Sequence, residues 1–374
     1  MQFRDLHAQY EALKPEIDAG IQAVIESTGF ILGKPVAELE EQLAAYVGRK
    51  HCVAVANGTD ALQLSLMAYD VGPGDAVFTS DFTYFASAGC ASIIGATPVL
   101  VDIDLNTFNM SAEDLERKIR AVLDEGKLTP KFVIPVDLFG LPADFTKLLP
   151  VAEKYGLRVL EDGAQGFGGA INGKRACSFG DISPPSFSPA KPLGCYGDGG
   201  AVFTDDDELA GILNSLKVHG KGPKGKYDNI RIGLNSRLDT IQAAVLLAKL
   251  NVLEQEITVR QEVAKRYDEA FRGKLQIPAV TPGGISAYAQ YCVLAKDKRH
   301  RQQILDAMKT AAVPSLIYYP NVLHELEAFA PYEGESSLPN AKKYAECNFG
   351  MPFSPYLTEE DQQRVIDVVL RAAC

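Results

Sequence analysis

The sequence predicts an α/β fold: a mostly parallel central sheet, helices on both of its faces, and a smaller C-terminal α+β domain. Three observations carry that reading. From about residue 50 to 205, short β-rich apolar runs alternate with helical stretches, as buried strands separated by covering helices do. The chain has 374 residues, more than one hydrophobic core usually serves. After the turn-rich segment Pro278-Ala279-Val280-Thr281-Pro282-Gly283-Gly284 the pattern changes.

In chain order, an N-terminal helical segment comes first. His51–Ala56 reads as a strand, Asn57-Gly58-Thr59-Asp60 breaks it, and Ala61–Ala68 has helical spacing. Ala76–Thr79, Thr97–Val101, Phe132–Val136 and Leu157–Leu160 are further strands, with helices at Ala112–Val122 and Thr146–Lys154 between them. Leu238–Phe271 reads as one long helix bridging the domains, capped by Ser236 or Asp239. Beyond it, Tyr288–Leu294, Ser315–Tyr318 and Phe349–Phe353 read as strands, and Arg301–Ala311 and Glu359–Arg371 as helices. The last begins at Thr358-Glu359-Glu360-Asp361, a capping-box start. The expected division is a large domain over 1–250 and a small one over 251–374.

Composition removes several function classes. Basic residues number 37 and acidic residues 48, a formal charge of −11, and the pI is near 5.1. Nucleic-acid surfaces are normally basic, so no nucleic-acid partner is expected. With 47% hydrophobic and 23% charged residues, extended disorder, collagen and coiled coil are excluded. No apolar run reaches the roughly 18–20 residues of a membrane span, so no membrane partner is expected. Charge within Met1-Gln2-Phe3-Arg4-Asp5 leaves no apolar core for an export signal, and the scattered cysteines make no CxxC pair. The expectation is a cytoplasmic protein with reduced thiols.

Three motifs carry chemistry. In Ala56-Asn57-Gly58-Thr59-Asp60-Ala61, a glycine and a threonine lie between a strand and a helix start, where free N–H groups favour an anion. An ordinary turn with Thr59 or Asp60 as the cap is the plain alternative. In Val159-Leu160-Glu161-Asp162-Gly163-Ala164-Gln165, a carboxylate ends an apolar strand, where ligands of open α/β sheets bind; a turn-capping aspartate is the alternative. In Ser186-Phe187-Ser188-Pro189-Ala190-Lys191-Pro192-Leu193-Gly194, a lone lysine sits among small residues. Such surroundings suit a lysine that loses its proton and attacks a carbonyl, although a surface lysine is the alternative. Together, phosphate cradle, strand-end aspartate and loop lysine are what pyridoxal phosphate requires. Two other patterns fail. Gly168 to Lys174 matches GxxxxGK, but Arg175 stands where a Mg²⁺-binding hydroxyl belongs, and the segment reads as strand and turn. Gly163, Gly166 and Gly168 have the wrong order for a dinucleotide fingerprint. No metal-ligand spacing appears, so no metal is expected.

Around these residues the chain resembles the DegT/DnrJ/EryC1/StrS family of pyridoxal-phosphate sugar aminotransferases, of fold type I. Further stretches that carry the likeness are Gly29-Phe30-Ile31-Leu32-Gly33, Phe82-Thr83-Tyr84-Phe85-Ala86-Ser87, Val101-Asp102-Ile103-Asp104, Gly233-Leu234-Asn235-Ser236-Arg237-Leu238-Asp239 and Tyr319-Pro320-Asn321-Val322-Leu323-His324. The resemblance implies Lys191 as the catalytic lysine that attaches the cofactor, pyridoxal 5'-phosphate, with pyridoxamine phosphate as its aminated form. Asp162 is implied as partner of the ring nitrogen, Gln165 and Tyr84 as neighbours of the ring, and Gly58, Thr59 and Ser186 as the phosphate cup. Asn235 is implied to reach the neighbouring subunit's phosphate, making a homodimer with shared active sites. Phe30, Arg237, Tyr319 and His324 are implied to contact a nucleotide sugar.

Relatives that dehydrate sugars place histidine at position 191, so the lysine implies transamination, with glutamate as donor. Within the family, the stretches Lys191–Gly200, Gly233–Thr240 and Ser286–Tyr291 are similar to 3-aminotransferases acting on UDP-2-acetamido-2-deoxy-3-keto-glucuronate in bacterial surface-polysaccharide pathways such as O-antigen synthesis. A C3 or C4 aminotransferase on a dTDP- or UDP-linked 6-deoxy ketosugar is the alternative. Three departures stand out. Pro184-Pro185 precedes Ser186, Asn321 stands where relatives often carry a small or apolar residue, and Lys217-Val218-His219-Gly220 lacks an arginine that could bind a sugar carboxylate.

Overall fold

A computed structural model of the chain describes residues 1–225, 227–332 and 338–373. Its centre is a parallel sheet in the order Thr97–Val101, Asp75–Ser80, Thr129–Ile134, Arg158–Val159. The layer continues through a parallel bridge from Leu160 to Ile182 and an antiparallel bridge from Ser183 to Phe203. It ends in the pair Gly200–Thr204 and His51–Val55, which run antiparallel in the register His51 to Thr204. One reversed strand in an otherwise parallel layer agrees with the mostly parallel sheet that the sequence predicts.

Residues alternate across the strands, and both faces are dry. Val53, Val55, Val77, Phe132, Ile134 and Val202 pack with the helices Gly58–Ala68, Ala86–Ile93 and Asp207–Leu216. On the other face, Cys52, Ala54, Ala201 and Phe203 meet the helices Lys34–Val47 and Thr240–Leu250, while Ala76, Phe78 and Val133 meet Ala112–Glu125 and Phe145–Tyr155. Period-two burial on two faces is why these strands read as apolar runs. The small antiparallel pair Cys292–Leu294 with Asn348–Gly350 has its own core, with Tyr267, Phe271, Ile304, Val365 and Val369.

Several expectations need correction. The long helix is two, Thr240–Leu250 and Leu253–Phe271. Asp239 precedes the first without a side-chain cap bond, and Ser236 Oγ instead accepts from Ala56 N at 3.1 Å. The break lets the first helix lie on Leu6–Ser27 and the second on the C-terminal core. The expected strand Tyr288–Leu294 shortens to Cys292–Leu294, because Tyr288 takes a positive φ of 43°. Ser315–Tyr318 contributes only a bridge from Leu316 to Gly350. The GxxxxGK segment is a hairpin, Ala170–Ile171 with Lys174–Arg175, as its strand-and-turn reading requires. Both unexpected prolines keep their carbonyls in the sheet: Pro184 O accepts from Gly163 N at 3.1 Å and Pro185 O from Ala201 N at 3.4 Å. Six cysteines are free and buried, and Cys374 lies outside the described residues. No described helix is long and apolar enough to cross a membrane.

Phe203 is fully buried beneath the lysine loop. Phe203→Ala is expected to cost about 3–5 kcal/mol, read as a lower denaturant midpoint at unchanged slope.

Candidate active site

A cleft of about 360 Å³ opens where the parallel strands end. Its walls bring together Gly58, Thr59, Tyr84, Asp162, Gln165, Ser186, Lys191 and Tyr319, all singled out by the sequence.

The floor is Asp162, 2% exposed. Its N–H donates to Pro135 O at 2.9 Å and its carbonyl accepts from Asp137 N at 3.0 Å, so the strand end itself sets its position. Ser87 Oγ donates to Oδ2 at 2.7 Å and Ala164 N to Oδ1 at 3.1 Å. Burial raises the carboxyl pKa, against the pull of those two donors and of the Lys191 charge. The neighbouring Glu161 faces the opposite way. Its carboxylate accepts from Cys177 N, Phe179 N and Ser183 Oγ, tying down the loop that leads to Ser186.

Lys191 is carried on a compact loop. Phe187 N donates to Gly199 O and Cys195 N to Phe187 O, each at 2.8 Å, while Lys191 N closes a turn onto Ser188 O at 2.9 Å. The side chain is half-buried and opens on the cleft. Desolvation lowers its pKa to about 8, with the Asp162 charge pulling upward and Arg4 pushing further down.

The rim is the first turn of the helix Gly58–Ala68. The cap is Asn57, whose Oδ1 accepts from Asp60 N at 2.8 Å, and neither Thr59 nor Asp60. Helix geometry leaves the Gly58 and Thr59 N–H groups without an intrahelical acceptor. A Cβ on Gly58 would stand 2.6 Å from Ser186 Cβ, so only glycine lets the two segments close into a cup. N–H groups at a helix start, the Thr59 and Ser186 hydroxyls, a buried acid and a desolvated lysine fit the phosphate, ring nitrogen and aldehyde carbon of pyridoxal phosphate.

Gln165 is buried, with Oε1 accepting from Phe139 N at 2.7 Å and Nε2 donating to the Tyr319 hydroxyl at 3.0 Å. Tyr84 stands in the wall, 59% exposed, its ring 6.3 Å from that of Tyr319. Four expected residues do not line this cleft within one chain. Phe30 lies on the surface, where its carbonyl accepts from Thr240 N at 2.9 Å. Asn235 and Arg237 share a second recess with Ala56, Asp198 and Gln242. His324 Nδ1 lies 2.7 Å from Asp81 Oδ2. Lys217 is buried away from the cleft, donating to Ala54 O at 3.1 Å and Glu40 at 3.3 Å. Within one chain its cation is engaged by these two acceptors and does not line the cleft. Sequence reading passed over Ser87, Arg4 and Gln290 as site residues; Ser87 was legible only as the end of the Phe82–Ser87 stretch.

The model of the DegT/DnrJ/EryC1/StrS aminotransferase family matches residues 11–370. The chain belongs to that family. It is 45% identical to the UDP-2-acetamido-2-deoxy-3-oxo-D-glucuronate aminotransferase of Pseudomonas aeruginosa, over 96% of both chains. It is 40% identical to a pleiotropic regulatory protein of Geobacillus stearothermophilus, over 98% of this chain and 96% of that one. A DegT/DnrJ/EryC1/StrS aminotransferase of Brucella abortus superposes with a TM-score of 0.96 at 45% identity, covering 99% of each chain. The protein is therefore a transaminase of fold type I, and its cofactor is pyridoxal 5'-phosphate.

Two outcomes are expected at this site. Gly58→Ala should weaken cofactor retention by about tenfold or more, measured by titration of the apoprotein, because the added methyl pries the cup open. Lys191 must be neutral to attack a carbonyl, so covalent loading of the apoprotein should accelerate with pH through about 8 and level off above it. A loading rate that is flat across that range contradicts the lysine's assignment.

Proposed function

We propose that the enzyme moves an amino group from L-glutamate to C3 of UDP-2-acetamido-2-deoxy-3-keto-glucuronate, in the cytoplasm, for a bacterial surface polysaccharide such as O-antigen. The observation that carries amino transfer is the joint placement of Lys191 and Asp162 in one desolvated cleft beneath a phosphate cup. The sugar is supported by the likeness to the Pseudomonas aeruginosa enzyme.

When bound, pyridoxal phosphate supplies an electron sink for negative charge developing on a substrate carbon. Asp162 holds the ring nitrogen in its protonated state, and its own burial makes that charge pair worth more than it would be in water. Gly58, Thr59 and Ser186 would anchor the phosphate, and Tyr84, in the same wall, would stand beside the ring. Lys191 Nζ would hold the cofactor's aldehyde carbon and, when free, would carry a proton from one carbon to another. A pKa near 8 suits both tasks close to neutral pH. Glutamate and sugar use the cleft in turn, a ping-pong sequence.

The working unit is a homodimer. Ile230 and Ile232 are 54% and 87% exposed, and Phe30, Ile31 and Leu32 are exposed as well, apolar side chains that a second subunit would cover. Asn235 and Arg237 sit outside their own chain's cleft, the placement expected of residues that serve the partner's site. Phe30, Arg237, Tyr319 and His324 remain our assignment for nucleotide-sugar contacts.

Lys191→Ala should abolish turnover while leaving the fold and the thermal midpoint near wild type. Asn235→Ala should loosen cofactor retention. Unchanged retention removes the support for a shared site. A panel of ketosugar nucleotides decides the acceptor: turnover of the UDP-linked 3-keto uronic acid supports the proposal, and turnover of only a 4-keto or 6-deoxy sugar sinks it.

A further inference from the structure

The N-terminal segment places a cation in the cleft that the amino-transfer machinery leaves without a task. Asp5 caps the helix Leu6–Ser27, accepting from Ala8 N at 2.9 Å. Just before it, Phe3 O accepts from Phe353 N at 3.0 Å, and the Phe3 ring lies 6.1 Å from that of Tyr318. These two anchors hold Arg4 in the cleft wall, beside Gln290, Tyr318 and Tyr319.

The donors of Arg4 are largely unmet. A guanidinium carries five N–H donors. Among the described residues, one of them, on Nη2, reaches Ala289 O, and Nε is buried without an acceptor. Among the described residues no carboxylate pairs with it, and burial disfavours its charged form, lowering its pKa. The nearby Arg260 differs, since Glu256 counters it, held in turn by Gln9 and Tyr356. Arg4 also lies close enough to Lys191 for its charge to act on that lysine. A desolvated guanidinium without a counter-ion is costly unless a ligand completes it. Its planar fork matches a carboxylate.

We propose that Arg4 binds a substrate carboxylate in the cleft and is a specificity-determining residue. The inference rests on the transaminase reading above. Two reactants bring that chemistry: the glutamate donor, and the C6 carboxylate of a uronic-acid acceptor. Both occupy the same cleft in turn, so one guanidinium can serve either. Lys217 is already engaged with Ala54 and Glu40 and cannot take this part.

The test compares cofactor-loaded wild type with Arg4→Gln and Arg4→Lys. Three probes are used. Glutarate, an inert dicarboxylate, is titrated by calorimetry. L-Glutamate is titrated in the first half-reaction. UDP-linked 3-ketosugars with and without a C6 carboxylate are titrated in the second. Arg4→Gln is expected to weaken at least one carboxylate probe by about 10- to 100-fold, with Arg4→Lys recovering part of the loss and the neutral ketosugar unaffected. A loss confined to glutarate and glutamate assigns Arg4 to the donor. A loss confined to the uronate assigns it to the acceptor. The proposal is overturned if Arg4→Gln, with its bound-cofactor absorption intact, binds every carboxylate as wild type does. It is equally overturned if the neutral ketosugar is weakened to the same extent. Wild type that responds to neither glutamate nor any ketosugar overturns the functional reading itself, and this proposal with it, an outcome visible before any variant is made.

Discussion

A buried carboxylate at the end of a central strand is the constraint on which the site depends. Asp162 cannot sit in a dry cleft at low cost unless its oxygens are met, and Ser87 and Ala164 meet them at 2.7 and 3.1 Å. Those partners require the Ala86–Ile93 helix to start where it does and the Gly163–Gln165 turn to fold back. The strand alternation then sends Glu161 to the opposite face, where its carboxylate collects N–H groups of Cys177 and Phe179 and the Ser183 hydroxyl. One acid faces the cleft. The other holds the segment that delivers Ser186 and, through its loop, Lys191.

The cleft also sets the chemistry of the two charged groups. Desolvation pushes the Asp162 carboxyl up and the Lys191 ammonium down to about 8, and their mutual attraction limits both shifts. In water an ammonium is a poor nucleophile and a poor base near neutral pH; in this cleft the lysine can exchange its proton there. The same poverty of solvent bears on the Arg4 guanidinium, whose Nε is buried without an acceptor among the described residues.

Much of this was legible in the residues. The strands at 76–79, 97–101, 132–136 and 157–160 are apolar because both sheet faces are covered, and the ends of the first and last deliver Tyr84 and Asp162 to one edge. The cup was legible because a phosphate site at a helix start needs glycine and hydroxyls, which Gly58 and Thr59 supply. What failed depends on tertiary contact. No local signal at Asn251-Val252 shows that a helical pattern must stop there, because the break exists only to seat two helices on different cores. Tyr288 carries no mark of its positive φ. Phe30, Asn235, Arg237 and His324 lie apart from the cleft within one chain, a spacing in three dimensions that their motifs do not encode. In the sequence Arg4 is only one charge near the N-terminus, and its place in the cleft comes from the Phe3–Phe353 anchor hundreds of residues away in the chain.

The most direct measurement is the absorption spectrum of cofactor-loaded wild type and Asp162→Asn, at equal occupancy, before and after addition of L-glutamate. The account expects wild type to lose its visible band and gain a near-ultraviolet band. Asp162→Asn should convert slower by about two orders of magnitude or more, because the protonated ring nitrogen loses its charged partner. Conversion of Asp162→Asn at the wild-type rate, or a wild-type band that glutamate leaves unchanged, would contradict the central place given to this carboxylate.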